Sequence, residues 1–299
     1  MTIGFIGLGA MGLGMAQRIN KEHELKVYNR SPEKAVALVA NGATQAQSLQ
    51  DFTDCDIVCT MLSDDAAVEA VYISGDTLAL PLKKNSISIS HSTISPPMVD
   101  KLTKAHEQAG IRFLCVPVLG RPDKAAAGEL VAVTAGPKDA VKEACSVLEA
   151  ISTRQFWMGP IPRQAAVTKL GMNFMLATAV EVLAESFTFT RKAGIDPEVF
   201  LTLVTETLFS APAFKAYAPL IAREQSPKPG FKTTLGLKDV SLAQQEAQAL
   251  GIDLPMADII TDQLRTAIKA GYPDEDWSSL ARLKARTASL PPISRSEEE

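Results

Sequence analysis

The chain has 299 residues, enough for two domains of ordinary size. Its 46% hydrophobic and 21% charged residues are those of a folded chain and exclude intrinsic disorder, in which too little apolar surface is available to offset the entropy of ordering. Thirty basic against 34 acidic residues leave a net charge of −4, so no basic excess exists to neutralise a phosphate backbone, and nucleic acid is not expected as a partner.

In chain order, short apolar runs at 2–6, 25–28, 56–61, 86–90, 112–116 and 130–135 alternate with helix-like stretches at 11–20, 32–41, 66–71, 96–109 and 137–151. That alternation predicts βαβ units and a parallel sheet covered on both faces, an α/β doubly wound arrangement of Rossmann type. Ser31-Pro32 and Ser95-Pro96 read as helix starts, serine at the cap and proline in the first turn. After Trp157 the strand signal stops. Gly159-Pro160-Ile161-Pro162 punctuates the chain, and 164–193, 197–207, 237–250, 255–270 and 278–288 read as helices. The domains expected are therefore 1–161, a Rossmann domain, and 162–289, all-helical, with 290–299 a mobile tail.

Cys55, Cys59, Cys115 and Cys145 lack CxxC spacing, and His23, His91 and His106 are scattered, so no metal site is expected. No disulfide is expected in a chain able to bury its own core. No stretch reaches about 18 uncharged apolar residues, the length of a membrane span. The apolar run at 3–16 holds five glycines and no basic flank, unlike a signal peptide. The expectation is a soluble cytoplasmic protein without a membrane partner.

Gly7-Leu8-Gly9-Ala10-Met11-Gly12 matches G-x-G-x-x-G between a predicted strand and a predicted helix. Gly7 permits the tight turn, Gly9 lets the backbone approach a pyrophosphate, and Gly12 lets helix and strand pack closely. The helix N-terminus supplies amide donors to the phosphates. About twenty residues on, where an NAD-binding domain usually carries an acidic residue for the ribose, the chain has Asn29-Arg30-Ser31. A neutral side chain followed by a bidentate phosphate partner points to NADP (NADPH) rather than NAD.

Lys169 is the only charged residue between Gln164 and Val180, in a segment apolar on nearly every side. Lysine is rarely buried without a reason, and burial pushes an ammonium toward its neutral form, from which it can give or take a proton. Asn173 lies one turn on, on the same face. His91 precedes Ser92 at a strand end where Rossmann ligands bind. Histidine titrates near neutrality, but a hydrogen-bonded loop histidine is the simpler reading. Trp157 and Trp277 read as core or interface anchors. In the Lys228 to Lys232 loop, Phe231 is either a lid or a staple on the next helix.

These motifs, with Ser92-Thr93-Ile94-Ser95-Pro96 and Gly236-Leu237-Lys238-Asp239, resemble the β-hydroxyacid dehydrogenase family over nearly the whole chain. That family includes 3-hydroxyisobutyrate dehydrogenases and glyoxylate/succinic semialdehyde reductases, with 6-phosphogluconate dehydrogenases as relatives. The resemblance implies that one long helix joins the two domains, that active sites lie between them, and that the protein is a homodimer or homotetramer. It implies Lys169 as the catalytic lysine with Asn173 its neighbour. Cofactor contacts are implied for Thr93, Lys238, Met61 and Leu62, and site closure over nicotinamide and substrate for Phe231 and Asp239. The family's substrate loop is similar to D-A-P-V-S-G-G, whereas here Cys115 to Pro122 reads C-V-P-V-L-G-R-P. Leu119 replaces the serine that grips a carboxylate, and Arg121 follows Gly120, either as a substitute anion contact or as a solvated side chain. The substrate-binding set expected is Ser92, Leu119, Gly120, Arg121 and Asp239. The expected activity is hydride transfer between NADPH and a small aldehyde or keto acid, or the reverse on a hydroxyacid. Imine reduction and a non-catalytic NADP-binding module are the alternatives.

Overall fold

Aliphatic residues at alternate positions build the first strands. β1 (Thr2–Ile6), β2 (Glu24–Tyr28) and β4 (Ile57–Thr60) carry such runs, with β3 (Thr44–Gln45) a two-residue strand beyond β2. β7 (Ile87–Ser90) and β8 (Arg112–Cys115) continue the sheet. A computed structural model describes residues 1–75, 77–225 and 229–293, and the chain divides into two compact units, one ending at Lys169 and one beginning at Leu170.

In the first unit the strand order β3-β2-β1-β4-β7-β8 is parallel throughout, the doubly wound order of nucleotide-binding sheets. Side chains alternate between the two faces. Ile3, Phe5, Ile57, Cys59 and Leu114 join one core, while Ile6, Val58, Phe113 and Cys115 join the other. Because both faces are covered, β4 and β7 are buried along their whole length. The buried hydroxyl of Ser88 in β7 is satisfied by Tyr72 Oη at 3.0 Å.

The covering elements are α1 (Ala10–Ile19), α2 (Val36–Val39) after a 3-10 turn at Pro32–Ala35, α3 (Asp65–Tyr72) and α4 (Pro96–Ala109). Ser95 caps α4, its Oγ accepting from Met98 N at 3.1 Å with proline at the first turn, as the Ser-Pro pair predicts. A small hairpin, β5 (Ile73–Ser74) and β6 (Thr77–Leu78), follows α3. After β8 come β9 (Val118–Leu119), α5 (Pro122–Ala127), β10 (Leu130–Ala135), α6 (Lys138–Glu143), α7 (Cys145–Ile151) and β11 (Ser152–Gly159).

The sheet departs from the all-parallel expectation here. β10 runs antiparallel to β8 and to β9, and β11 pairs parallel with β10. The connection from β8 to β10 holds only a two-residue strand and a short helix, and it turns the chain back. β11 escaped the sequence reading because it is an edge strand with one side to solvent, and Arg154, Phe156 and Trp157 are exposed on it. The single helix expected at 137–151 is two, meeting at Ala144.

α8 (Arg163–Lys192) is the long helix, and the unit boundary falls within it. It is followed by α9 (Pro197–Glu206), α10 (Pro212–Ala222), α11 (Thr233–Ala249), α12 (Pro255–Lys269) and α13 (Leu280–Thr287), the last after a 3-10 turn at Trp277–Ser279. Val180, Leu183 and Phe187 of α8 pack with Tyr217, Val240, Leu264 and Trp277 in the second unit's core. α10 was missed because Pro219 lies inside it.

By length and composition alone α8 is also apolar enough to cross a membrane, although Lys169 and Glu181 interrupt it and it holds no run of 18 uncharged residues. Ala165 and Ala166 belong to a core of the first unit, and Ala177, Val180, Leu183, Ala184 and Phe187 to the core of the second. Residues 290–293 were expected in a mobile tail. Arg191 donates to Pro291 O, and Ile293 N donates to Glu224 Oε2 at 3.5 Å. Residues 294–299 of that tail, and Lys228 of the 228–232 loop, lie outside the described residues.

Candidate active site

The glycine-rich turn closes β1 onto α1. Gly7 has φ +99°, and a Cβ there would stand 2.3 Å from Met61 O. A Cβ on Gly12 would stand 1.9 Å from Gly7 O, so the close approach of turn and helix requires glycine at both positions. Above Gly9 no atom lies within 4 Å of a Cβ position. No side chain caps α1, whose first amides therefore remain as donors for an anion, as Ala10 and Met11 were expected to provide. These features fit a dinucleotide's pyrophosphate.

At the end of β2, Asn29 spends its side chain on the turn. Its Oδ1 accepts from Leu8 N at 2.9 Å, and its Nδ2 donates to Ser31 O at 3.0 Å. Arg30 is exposed beside it and Ser31 is half-buried. Asn29 thus fixes the backbone that carries Arg30, a role beyond the neutral placeholder inferred from sequence.

The β4 and β7 ends meet next to the turn. Met61 N donates to Ile6 O at 3.0 Å, and Leu62 N donates to Ser92 Oγ at 2.8 Å. Ser92 is buried, so its hydroxyl serves the loop, while Thr93 is half-buried. Sequence reasoning missed Asp65, which receives both Ser95 N (2.8 Å) and Ser95 Oγ (2.5 Å) and so fixes the 92–96 stretch. An acidic residue opening a helix carries no sign of a partner 30 positions away. His91 is fully buried, with Nδ1 2.8 Å from Val116 O, and burial pushes its pKa down to about 4 against the opposing effect of that hydrogen bond. It is neutral near pH 7, so the structure sides with the hydrogen-bonded histidine over a proton shuttle.

Lys169 is 9% exposed and its Nζ donates to Val118 O at 2.8 Å. That carbonyl belongs to β9, the strand holding Leu119, so the loop expected to carry substrate contacts is tied to the lysine. A backbone carbonyl has no sequence signature, and Val118 was not foreseen. Leu119 packs against the core cluster containing Phe113 and Val133, Gly120 is exposed at φ +137°, and Arg121 is half-buried with its Nη1 shielded.

In the second unit, Asn173 Nδ2 donates to Asp239 Oδ2 at 2.5 Å, and Lys238 Nζ lies 3.1 Å from Asp239 Oδ1. Three separately expected residues therefore form one chain from α8 to α11. Gly236 admits Trp277, whose ring carbon would be 2.7 Å from a Cβ there. Phe231 stands edge-on to Trp277 with centroids 4.7 Å apart, and its N–H donates to Asp276 Oδ2 at 3.0 Å. Phe231 thus packs on Trp277, which is a core anchor. Among the described residues no group of three or more His, Cys, Asp or Glu side chains could hold a metal.

Residues 2–159 match the family described as the NAD binding domain of 6-phosphogluconate dehydrogenase, and residues 164–284 match NAD-binding of NADP-dependent 3-hydroxyisobutyrate dehydrogenase. The chain belongs to the β-hydroxyacid dehydrogenase family. An uncharacterized oxidoreductase of Bacillus subtilis, YfjR, is 38% identical across 94% of this chain and 99% of its own length. The NAD-dependent L-serine dehydrogenase of Pseudomonas aeruginosa is 30% identical, covering 94% and 97%. Among solved structures, a 3-hydroxyisobutyrate dehydrogenase from Salmonella typhimurium has a TM-score of 0.84 at 25% identity, covering 95% and 99%. As a β-hydroxyacid dehydrogenase homologue the chain is an oxidoreductase-family member with a nicotinamide-dinucleotide-binding Rossmann fold.

Proposed function

We propose that the protein is an NADP-dependent reductase of a small aldehyde or keto acid, or the corresponding dehydrogenase of a hydroxyacid, with Lys169 as proton donor and acceptor. The observation that carries this reading is the buried Lys169 ammonium, held by the Val118 carbonyl in a chain whose first strand ends in a dinucleotide turn.

When bound, the dinucleotide supplies or takes up a hydride. Gly9, Ala10 and Met11 meet its pyrophosphate, while Gly7 and Gly12 let turn and helix close up and Leu8, its amide held by Asn29, fixes the turn beneath it. Arg30 and Ser31 take the 2′-phosphate, and the neutral Asn29 leaves that phosphate unopposed. Met61, Leu62, Thr93 and Lys238 complete the cofactor wall. Lys169 gives its proton to the carbonyl oxygen and stabilises the charge developing there, and Asn173 holds the ammonium of Lys169 in place. Leu119 makes one wall of the substrate site apolar, with Gly120 opening the loop, and Arg121 takes a substrate carboxylate. The protein works in the cytoplasm as a homodimer or homotetramer. Its four cysteines support the compartment as thiols, and the exposed Met172, Met175, Val182 and Phe189 along α8 support the assembly.

The test is oxidation of NADPH across a panel of aldehydes, keto acids and cyclic imines. Turnover of aldehydes or keto acids is expected. Turnover of cyclic imines alone, or tight NADPH binding without turnover of any compound, would overturn the reading.

A further inference from the structure

We infer that Asp239, expected from the family resemblance to close the site over substrate, is instead a positioning residue. It sets which end of the Asn173 amide is offered to a ligand and anchors Lys238 with the same carboxylate. Asp239 is 1% exposed, too deep for its oxygens to be a substrate surface. Its Oδ2 receives the Asn173 Nδ2 hydrogen at 2.5 Å, and its Oδ1 faces Lys238 Nζ at 3.1 Å. Both carboxylate oxygens are therefore directed at side chains of the protein itself.

The orientation this imposes is chemically determined. An ionised carboxylate only accepts hydrogen bonds, so the nitrogen end of the amide must face it. Asn173 Oδ1 then points the other way, and the residue presents an acceptor to whatever approaches it. An acceptor suits a hydroxyl or ammonium donor and disfavours a bare carbonyl or carboxylate oxygen. Asn173 is thus built to receive the hydroxyl of the alcohol form of the substrate or the ammonium of Lys169, which lies one turn earlier on the same helix. Asn173 is itself 5% exposed, and its hydrogen bond to Asp239 is charge-assisted, so the amide has little freedom to turn over. Lys238, adjacent to Asp239 on α11, lies against the same carboxylate, so loss of that group alters the surroundings of both side chains.

The kinetic arm of the test rests on the reaction proposed above, and the spectroscopic arm does not. In the full-length protein, the side-chain amide resonances of Asn173 are identified by their loss in Asn173→Ser. One of the two amide protons is expected well downfield and slow to exchange in the wild type. Asp239→Leu, similar in size and without an acceptor, should return both protons to ordinary positions. It should lower kcat tenfold or more with substrate KM changed less than threefold, because alignment rather than binding is lost. Asp239→Asn keeps an acceptor and should recover kcat to within about threefold of wild type. A purely structural Asp239 would show no rescue by asparagine, and its losses would track the fall in melting temperature. Ordinary Asn173 amide shifts in the wild type would overturn the inference even if no variant folds, as would Asp239→Leu retaining more than half of wild-type kcat. If no substrate is turned over while the resonances respond as expected, the proposed reaction fails and the positioning role stands.

Discussion

Cofactor choice is decided by a few atoms at the end of β2. Asn29 donates to Ser31 O through Nδ2, which an aspartate could not do, since its second oxygen would face that carbonyl with nothing to share. NADPH is expected to bind at least tenfold more tightly than NADH, about 1.4 kcal/mol, from one charge-assisted contact with Arg30. Asn29→Asp with Arg30→Ala should reverse the order and loosen the turn. Calorimetric titration of both cofactors measures this, and equal wild-type affinities would contradict it. If the substrate is a carboxylate, Arg121→Ala should raise KM far more than it lowers kcat, because such a contact exists equally in ground and transition states. An unchanged KM for a keto acid would return Arg121 to a structural role. Lys169 was legible because a lone charge in an apolar helix stands out. Its partner Val118 was not, since any residue can offer a carbonyl. The pairing of Asn173 with Asp239 joins positions 66 apart, and nothing in the sequence announces it.

Helices and strands of the first unit were legible from their periods of two and 3.6 residues, and their caps from Ser-Pro pairs. The reversal at β10 was not, because a strand's hydrophobic pattern is the same in either direction. Two elements carry buried charge chemistry with consequences for stability. On α4, His106 is buried with Nδ1 2.7 Å from Leu102 O, and burial pushes its pKa down to about 4, as for His91. The unfolded chain therefore binds more protons than the folded one between about pH 6.5 and 4, and stability falls as pH drops through that window, by about 3 kcal/mol per histidine. His106→Phe should keep the stacking on Phe113 and reduce the acid slope by about half, as read by urea denaturation at pH 7, 5.5 and 4. An unchanged slope would show that other groups govern it. Between α8 and α13, Glu181 is buried 2.6 Å from Lys284 Nζ, and burial raises its pKa against the pull of that lysine. Lys284→Met should cost about 3 kcal/mol by stranding a buried carboxylate, and adding Glu181→Leu should recover most of it. Strict additivity in the double-mutant cycle would contradict the pairing.

For the chain as a whole, the sequence carried the class of fold, the order of its two kinds of architecture and the turn that marks the cofactor. It carried less about substrate, because the loop that departs from the family, Val118 to Arg121, opens with a two-residue strand whose Leu119 leans on the core. The central claim is that one buried ammonium on α8 performs the proton transfer. The most direct measurement is steady-state turnover of Lys169→Ala with NADPH and the best substrate of the panel, beside a titration of NADPH binding. A fall in kcat on the order of 10³ or more is expected, from combined loss of proton transfer and charge stabilisation, with NADPH affinity little changed because the glycine turn holds the pyrophosphate. A variant that kept more than one-tenth of wild-type kcat, with chemistry shown to limit the rate, would contradict it.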